Sequence, residues 1–274
     1  MPALERHQVG GVTLLTDARV GGGVSFAFTE RTGGVSRGDF ASLNLGSSCG
    51  DDPAAVAENR RRALAAIGAG DLAGRLVCPR QVHGARVVGV TSSDDASVRA
   101  AQREAEAGAD AVVCTARDVP VLLCFADCVP VVLVAPGGFA VAHSGWRGTM
   151  ARISAATVRA LCEATGAAAE DVRAYVGPHV LVDDYEVSEE LAASFASEFG
   201  PQVVRGRRLD LSRAIALTLE EEGVAPDAVA WCAASTASST DRFFSYRAEG
   251  GSCGRHGALA CMRAGDVNGE ARGL

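Results

Sequence analysis

The stretch Cys128–Ala142 restricts the fold of this chain more than any other. It runs 15 residues without a charged side chain, and Pro130, Pro136, Gly137 and Gly138 interrupt it. A helix that crosses a bilayer needs about 20 apolar residues, so this is not a membrane span. Ala135-Pro136-Gly137-Gly138 has the composition of a tight turn, and it predicts a hairpin with strands over Val129–Val134 and Phe139–His143. Neither strand alternates apolar with polar residues. Both faces must then be covered, which calls for sheets packed between helix layers in an α/β fold.

The remaining pattern agrees with that reading. Strand-like runs fall at Val12–Thr16, Val24–Thr29, Arg86–Val90, Ala111–Thr115, Val119–Phe125, Val172–Val176, Val229–Ala233 and Ala258–Met262. Asp52 caps a helix with Pro53 at its first position and Gly68 beyond its end. A second helix starts near Thr149 and stops before Gly166. Ser188 caps a third, with Glu189 and Glu190 where the helix dipole favours them. Asp210 or Ser212 caps a fourth that ends at Gly223. Residues 92–109 read as a solvent-facing helix or insertion. No repeat or linker divides residues 1–274, so one domain is expected.

Charge narrows the chemistry. All 26 basic side chains are Arg, and Lys is absent. Schiff-base enzymes need an amine nucleophile, P-loop NTPases need the motif lysine and protein kinases need their strand lysine, so these classes are excluded. Any phosphate or carboxylate must be gripped by Arg or by backbone amides. The net charge of −7 argues against nucleic acid and anionic membranes as partners. Met1-Pro-Ala-Leu-Glu-Arg6 has no apolar leader, and nine Cys is an odd count. A cytoplasmic protein with reduced thiols is expected. Five His without an H-x-H pair are too few for a multicopper oxidase of the large blue type.

The hairpin also places chemistry. A turn near residue 136 or 137 sets Cys128 opposite about residue 145, with His143 one diagonal step away on the same face, ~7–8 Å at the backbone. His83 stands at the mouth of another strand. Two imidazoles and a thiolate make a tetrahedral zinc site with one open position. The same residues also suit a metal-free nucleophile–base pair, or a core cysteine with two loop histidines. Asp127 either orients a ligand or caps a turn. Cys124 and Cys128 share a face if one regular strand holds both. On the helix from Pro53, Arg60 lies on the stripe of Val56, Ala63, Leu64 and Ile67. It is then an anion fork or a buried ion pair, with Asn44 in the preceding loop as a helper. Arg147, just before a helix, and Arg247, after Phe243, Phe244 and Tyr246, are either anion contacts or structural. Trp146 is packing or a stacking wall.

Many further motifs match one family. They are Phe28-Thr-Glu-Arg-Thr-Gly-Gly-Val-Ser-Arg-Gly, Ser42-Leu-Asn-Leu-Gly, Gly50-Asp-Asp-Pro, Glu58-Asn-Arg, Gln81-Val-His-Gly, Ala109-Asp-Ala, Ala126-Asp-Cys-Val-Pro, His143-Ser-Gly-Trp-Arg-Gly, Gly177-Pro, Tyr185-Glu-Val, Phe244-Ser-Tyr-Arg and Gly254-Arg. In these the chain resembles the laccase-domain, or polyphenol-oxidase-like, proteins, which include purine nucleoside phosphorylases and bacterial peptidoglycan editing factors. The resemblance implies a four-layer α/β/β/α sandwich with mixed sheets. It implies zinc, with copper as the alternative, on His83, Cys128 and His143, with Asp127 beside them. Substrate contacts are then expected from Arg60, Asn44, Gln81, Arg147 and Arg247. Ser144 stands where the family usually has Ala, His179 where it has a small residue, and Ala248 where it has a second Arg. His179 reads as a surface residue or a polar group near the pocket. The activity implied is phosphorolysis of inosine, adenosine and methylthioadenosine with adenosine deaminase side activity. The alternatives are removal of serine from UDP-muramoyl precursors and copper-dependent phenol oxidation.

Overall fold

The computed structural model describes residues 1–264. Its strands are β1 (Glu5–Val9), β2 (Val12–Thr16), β3 (Val24–Thr29), β4 (Val87–Val90), β5 (Ala111–Cys114), β6 (Val121–Phe125), β7 (Val129–Ala135), β8 (Gly138–Ser144), β9 (Arg173–Val176), β10 (Val204–Arg205), β11 (Arg208–Leu209), β12 (Val229–Trp231) and β13 (His256–Met262). The α-helices are α1 (Pro53–Ala66), α2 (Asp95–Glu106), α3 (Trp146–Met150), α4 (Ile153–Thr165), α5 (Glu189–Phe199) and α6 (Leu211–Glu221).

Two sheets lie face to face. One is antiparallel throughout, in the order β1-β2-β3-β13-β6. The other, β12-β9-β7-β8-β5-β4, is mixed, because its two outer pairs, β12 with β9 and β4 with β5, run parallel. Side-chain parity then builds the layers. Val121, Leu123 and Phe125 of β6 meet Val132 and Val134 of β7 and Phe139 and Val141 of β8 between the sheets. Leu122, Leu259 and Cys261 turn outward onto Ala63 and Leu64 of α1. Val131, Leu133, Ala140 and Ala142 turn the opposite way onto Ile153, Val158 and Leu161 of α4, with Phe195 of α5 and Ile215 of α6 nearby. The result is the four-layer α/β/β/α sandwich. Both strands of the apolar hairpin lie in its middle with every residue buried, and only the turn residues Pro136 and Gly137 are exposed. Burying one Val, Leu or Phe side chain stabilises by about 1.5–3 kcal/mol, so a strand apolar on both faces gains on both.

Three features depart from the sequence pattern. β1 is an edge strand of Glu-Arg-His-Gln-Val with no fully buried residue, so no periodicity marked it. The helix expected from Thr149 is two helices. Arg152 lies between them at φ +58°, where it forks to Glu198 and Glu221 and covers the Phe199 ring. Cys124 and Cys128 do not share a face, because the chain leaves one sheet after Phe125 and enters the other at Val129. Cys124 packs toward α1 and Cys128 packs between the sheets.

The two sheets approach closely at Gly177, where a Cβ would fall 2.4 Å from the Phe28 ring. Overpacking of this kind costs about 1–3 kcal/mol. Gly177→Ala should therefore lower the Tm by about 2–4 °C per kcal/mol lost. Calorimetry checks this, and an unchanged Tm would mean that the sheets can slide apart there at no cost.

Candidate metal centre

The hairpin register pairs Val129 with Ser144 and Ala135 with Gly138, so Cys128 faces Gly145 and His143 lies one step along. His143 points between the sheets and is 3% exposed. Cys128 is half-buried, while His83 is exposed on the loop before β4. The His83 and His143 rings meet edge to face, 4.8 Å between centroids. One ligand atom from each of His83, Cys128 and His143 falls within 4.8 Å of the other two. Among the described residues this is the one group of three His, Cys, Asp or Glu side chains so arranged.

Asp110, at the start of β5, organises the group. It is fully buried. Its Oδ1 accepts from the backbone N–H of His83 at 2.9 Å, and its Oδ2 from those of Gly84 at 2.7 Å and Val82 at 3.2 Å. Oδ1 also lies 2.8 Å from His143 Nδ1. Three successive amides round one carboxylate form an anion nest. That nest holds His83 at φ +60°, a left-handed conformation that costs a non-glycine residue energy. With Nδ1 committed to Asp110, His143 presents Nε2 to the site. Burial alone would raise the Asp110 carboxyl, but the His143 hydrogen bond and charge and the Gly84 and His83 amides hold it below its ordinary range.

Cys128 and His143 favour a thiolate–imidazolium pair, and a bound cation would take the place of the His143 Nε2 proton. Burial opposes ionisation of Cys128, but the His143 charge and hydrogen bonds from His143 and His83 outweigh it and bring the thiol down to about 6. Burial likewise opposes charge on His143, yet Cys128 and Asp110 push its pKa up to about 9. Both shifts favour the Cys128 thiolate over the thiol. Gly145 leaves space for it, since a Cβ there would sit 2.8 Å from Cys128 Sγ and 3.3 Å from His83 Cδ2. Two nitrogen donors, one thiolate sulfur and a glycine cradle fit zinc with an open fourth position.

The other expected site residues divide into two groups. Tyr185 and Arg247 border the centre. The Arg247 guanidinium lies 4.9 Å above the Tyr185 ring and donates to Glu186 O at 2.9 Å. Burial raises the Tyr185 phenol to about 12, and the nearby Cys128 thiolate adds to the rise. Asp127 sits at φ +85° and accepts from Thr236 Oγ1 (2.6 Å), Ser245 Oγ (2.7 Å) and the Arg247 amide (2.8 Å). Its carboxylate therefore fastens the 236–247 segment and bonds neither histidine. Arg147 is exposed, with its guanidinium 4.5 Å over the Trp146 ring. Gln81 clasps the Cys124 backbone at 2.8 and 2.9 Å, two residues before His83.

Arg60 and Asn44 lie apart. Arg60 Nε donates to Leu45 O at 2.9 Å. Asn44 is fully buried and bonds Gly46, Asp51 and the Arg255 amide. Neither bonds His83, Cys128 or His143. The polar residue that α1 buries completely is Asn59, which bonds Val35, Ser36, Ser42 and Asn44. His179 is neither at the surface nor at the centre. It is fully buried, 2.8 Å from Gly177 O and 2.6 Å from Ser212 Oγ, and burial keeps it neutral. Ser144 uses its extra hydroxyl on Thr149 Oγ1 at 2.9 Å. Asp110 and Tyr185 were not among the expected site residues, although both fall inside motifs of the resemblance. The signal for Asp110 was a carboxylate leading a wholly apolar strand.

A mixed α/β sandwich with one candidate His–Cys–His centre is the class that these observations define. The chain belongs to the family described as multi-copper polyphenol oxidoreductase laccase, whose model matches residues 25–263. It is 39% identical over 257 residues to a purine nucleoside phosphorylase of Deinococcus radiodurans, covering 91% of this chain and 94% of that protein. It is 36% identical over 172 residues, 62% of this chain and 65% of the other, to a protein named adenosine deaminase from an unknown prokaryotic organism. The crystal structure of YlmD from Geobacillus stearothermophilus superposes with a TM-score of 0.84 at 30% identity, covering 96% of this chain and all of that one.

Two variants test the centre. Gly145→Ala should exclude the ion by crowding Cys128 while leaving the fold intact. Asp110→Asn should weaken metal binding about 10- to 100-fold by freeing the His143 ring and the His83 loop. Competition titration with a chromogenic chelator reads both, and wild-type affinity in both variants would remove the metal assignment.

Proposed function

We propose that this protein is a zinc-dependent purine nucleoside phosphorylase. The observation that carries the reading is the convergence of His83, Cys128 and His143 at one point on an open rim, in a chain 39% identical to a protein of that name. His83, Cys128 and His143 would hold the zinc. A zinc ion there supplies a Lewis acid with one position open to a substrate atom or water. Asp110 fixes the His143 tautomer and the His83 backbone, so the ligands need no reorganisation during turnover. Arg247 borders the centre and pairs with no carboxylate among the described residues. Its guanidinium is the cation assigned to phosphate, in place of Arg60, which turns toward α1's own layer. The Tyr185 ring beneath it forms an apolar wall for the nucleoside. In the reaction a phosphate oxygen bonds to ribose C1′ as the C1′–N9 bond breaks. The bonding pair leaves with the purine, which takes a proton from solvent, and ribose 1-phosphate remains.

Adenosine deamination is the second reading, favoured by the relative that bears that name. It needs no phosphate, and that separates the two. Metal-replete protein should release hypoxanthine from inosine only when phosphate is present. Cys128→Ser should lose this activity. Arg247→Ala, which forfeits a charge-assisted contact of about 1.5–3 kcal/mol, should lower kcat/KM for phosphate roughly 10- to 150-fold. Ammonia from adenosine without phosphate would support deamination instead. Serine release from a UDP-muramoyl precursor, with inosine untouched, would overturn both.

A further inference from the structure

Cys78 and Cys124 belong to neither the metal centre nor the proposed reaction. Val77 bridges Val121 in parallel, and the Gln81 side chain holds both backbone groups of Cys124. The segment 77–81 thus runs beside β6 and brings Cys78 against Cys124, on the face that packs toward α1. The two thiols pack against the same apolar cluster beneath α1 and shift each other's ionisation. Arg60 completes the cluster. Its Nε and Cys124 Sγ share the Leu45 carbonyl, at 2.9 and 3.4 Å. Among the described residues Arg60 pairs with no carboxylate; the ionisable groups that face it are Cys78, Cys124 and Cys49. A half-buried guanidinium aimed at thiols favours thiolate. Cys78 and Arg60 also line a cavity of about 460 Å³, with Ser47, Gln102 and Glu106 on its wall.

We propose that Cys78 and Cys124 form a reversible dithiol–disulfide site, oxidised by a small hydroperoxide that enters through this cavity. The Cys78 thiolate attacks the terminal peroxide oxygen and the O–O bond breaks. The departing alkoxide takes a proton and leaves as an alcohol, or as water from hydrogen peroxide. Cys78 is then a sulfenic acid. Cys124 sulfur attacks it, the S–S bond forms, and hydroxide leaves with the Cys124 proton as water. Two thiols are oxidised and one hydroperoxide is reduced. The neighbouring Cys124 thiol brings Cys78 down to about 7 against the penalty of burial, with Arg60 assisting, while Cys78 and burial raise Cys124. Cys78 lines the cavity and attacks, and Cys124, which does not line it, resolves. A bound cation fits less well, because the Arg60 charge would repel it.

The test uses the full chain loaded with zinc, so that Cys128 is engaged. The protein is treated with equimolar hydrogen peroxide, its remaining thiols are alkylated, and it is digested without reductant for mass spectrometry. A Cys78–Cys124 cross-linked peptide that dithiothreitol abolishes is the expected product. Cys124→Ser should leave Cys78 as a sulfenic acid that dimedone traps. Arg60→Gln should slow cross-linking several-fold while circular dichroism shows the fold retained. Recovery of Cys78 and Cys124 as separately alkylated peptides from treated wild type would overturn the proposal. So would cross-links spread evenly over Cys49 and the other thiols, or an unchanged rate in folded Arg60→Gln. If a variant does not fold, the wild-type peptide map alone decides.

Discussion

The Asp110 carboxylate accepts four hydrogen bonds in a place closed to water: three from the loop that carries His83 and one from the His143 ring. A buried carboxylate is costly unless such donors surround it. That cost makes the arrangement specific. His83 cannot leave its left-handed conformation, nor His143 turn its ring, without stranding the charge. Cys128 needs no such device, because seven residue pairs of the β7–β8 hairpin fix it against Gly145. The centre thus rests on two constraints, an apolar hairpin register and one satisfied carboxylate.

Layering explains why the centre sits where it does. The inner face of β8 runs Phe139, Val141, His143, and the inter-sheet core fills the space behind the first two. At His143 the core reaches its rim. Apolar packing supports the ring from one side, with Phe125 at 5.4 Å, and exposed His83 closes the other. A site in such a position has rigid walls and an open mouth, which suits a small substrate.

Much of this was legible in the sequence, for identifiable reasons. Two-faced strands gave sheets packed between helix layers and the Ala-Pro-Gly-Gly turn gave the Cys128–His143 register, because alternation and turn chemistry are local properties, while the four-layer order came from the family resemblance. Arg60 was correctly placed on the core side of α1, but helical periodicity says which face a residue takes and not which layer that face meets. The layer proved to be the one holding Cys78 and Cys124. Asp110 escaped notice because its four donors come from two distant segments that only the fold brings together. His179 misled for a similar reason: its partner Ser212 is 33 residues away. The absence of Lys kept its force throughout. Apart from histidine, every cationic side chain is a guanidinium; under the proposed function Arg247 serves the anionic substrate, and in the proposed dithiol site Arg60 serves the Cys78 thiolate.

The central claim is that His83, Cys128 and His143 act together as one metal centre with a thiolate ligand. Cobalt(II) substitution followed by absorption spectroscopy tests it most directly. Wild-type protein should bind one equivalent of cobalt and show a thiolate-to-cobalt charge-transfer band with intense tetrahedral d–d bands, and Cys128→Ser should lose the charge-transfer band. Failure of the wild type to bind cobalt, or an unchanged spectrum in Cys128→Ser, would contradict the account.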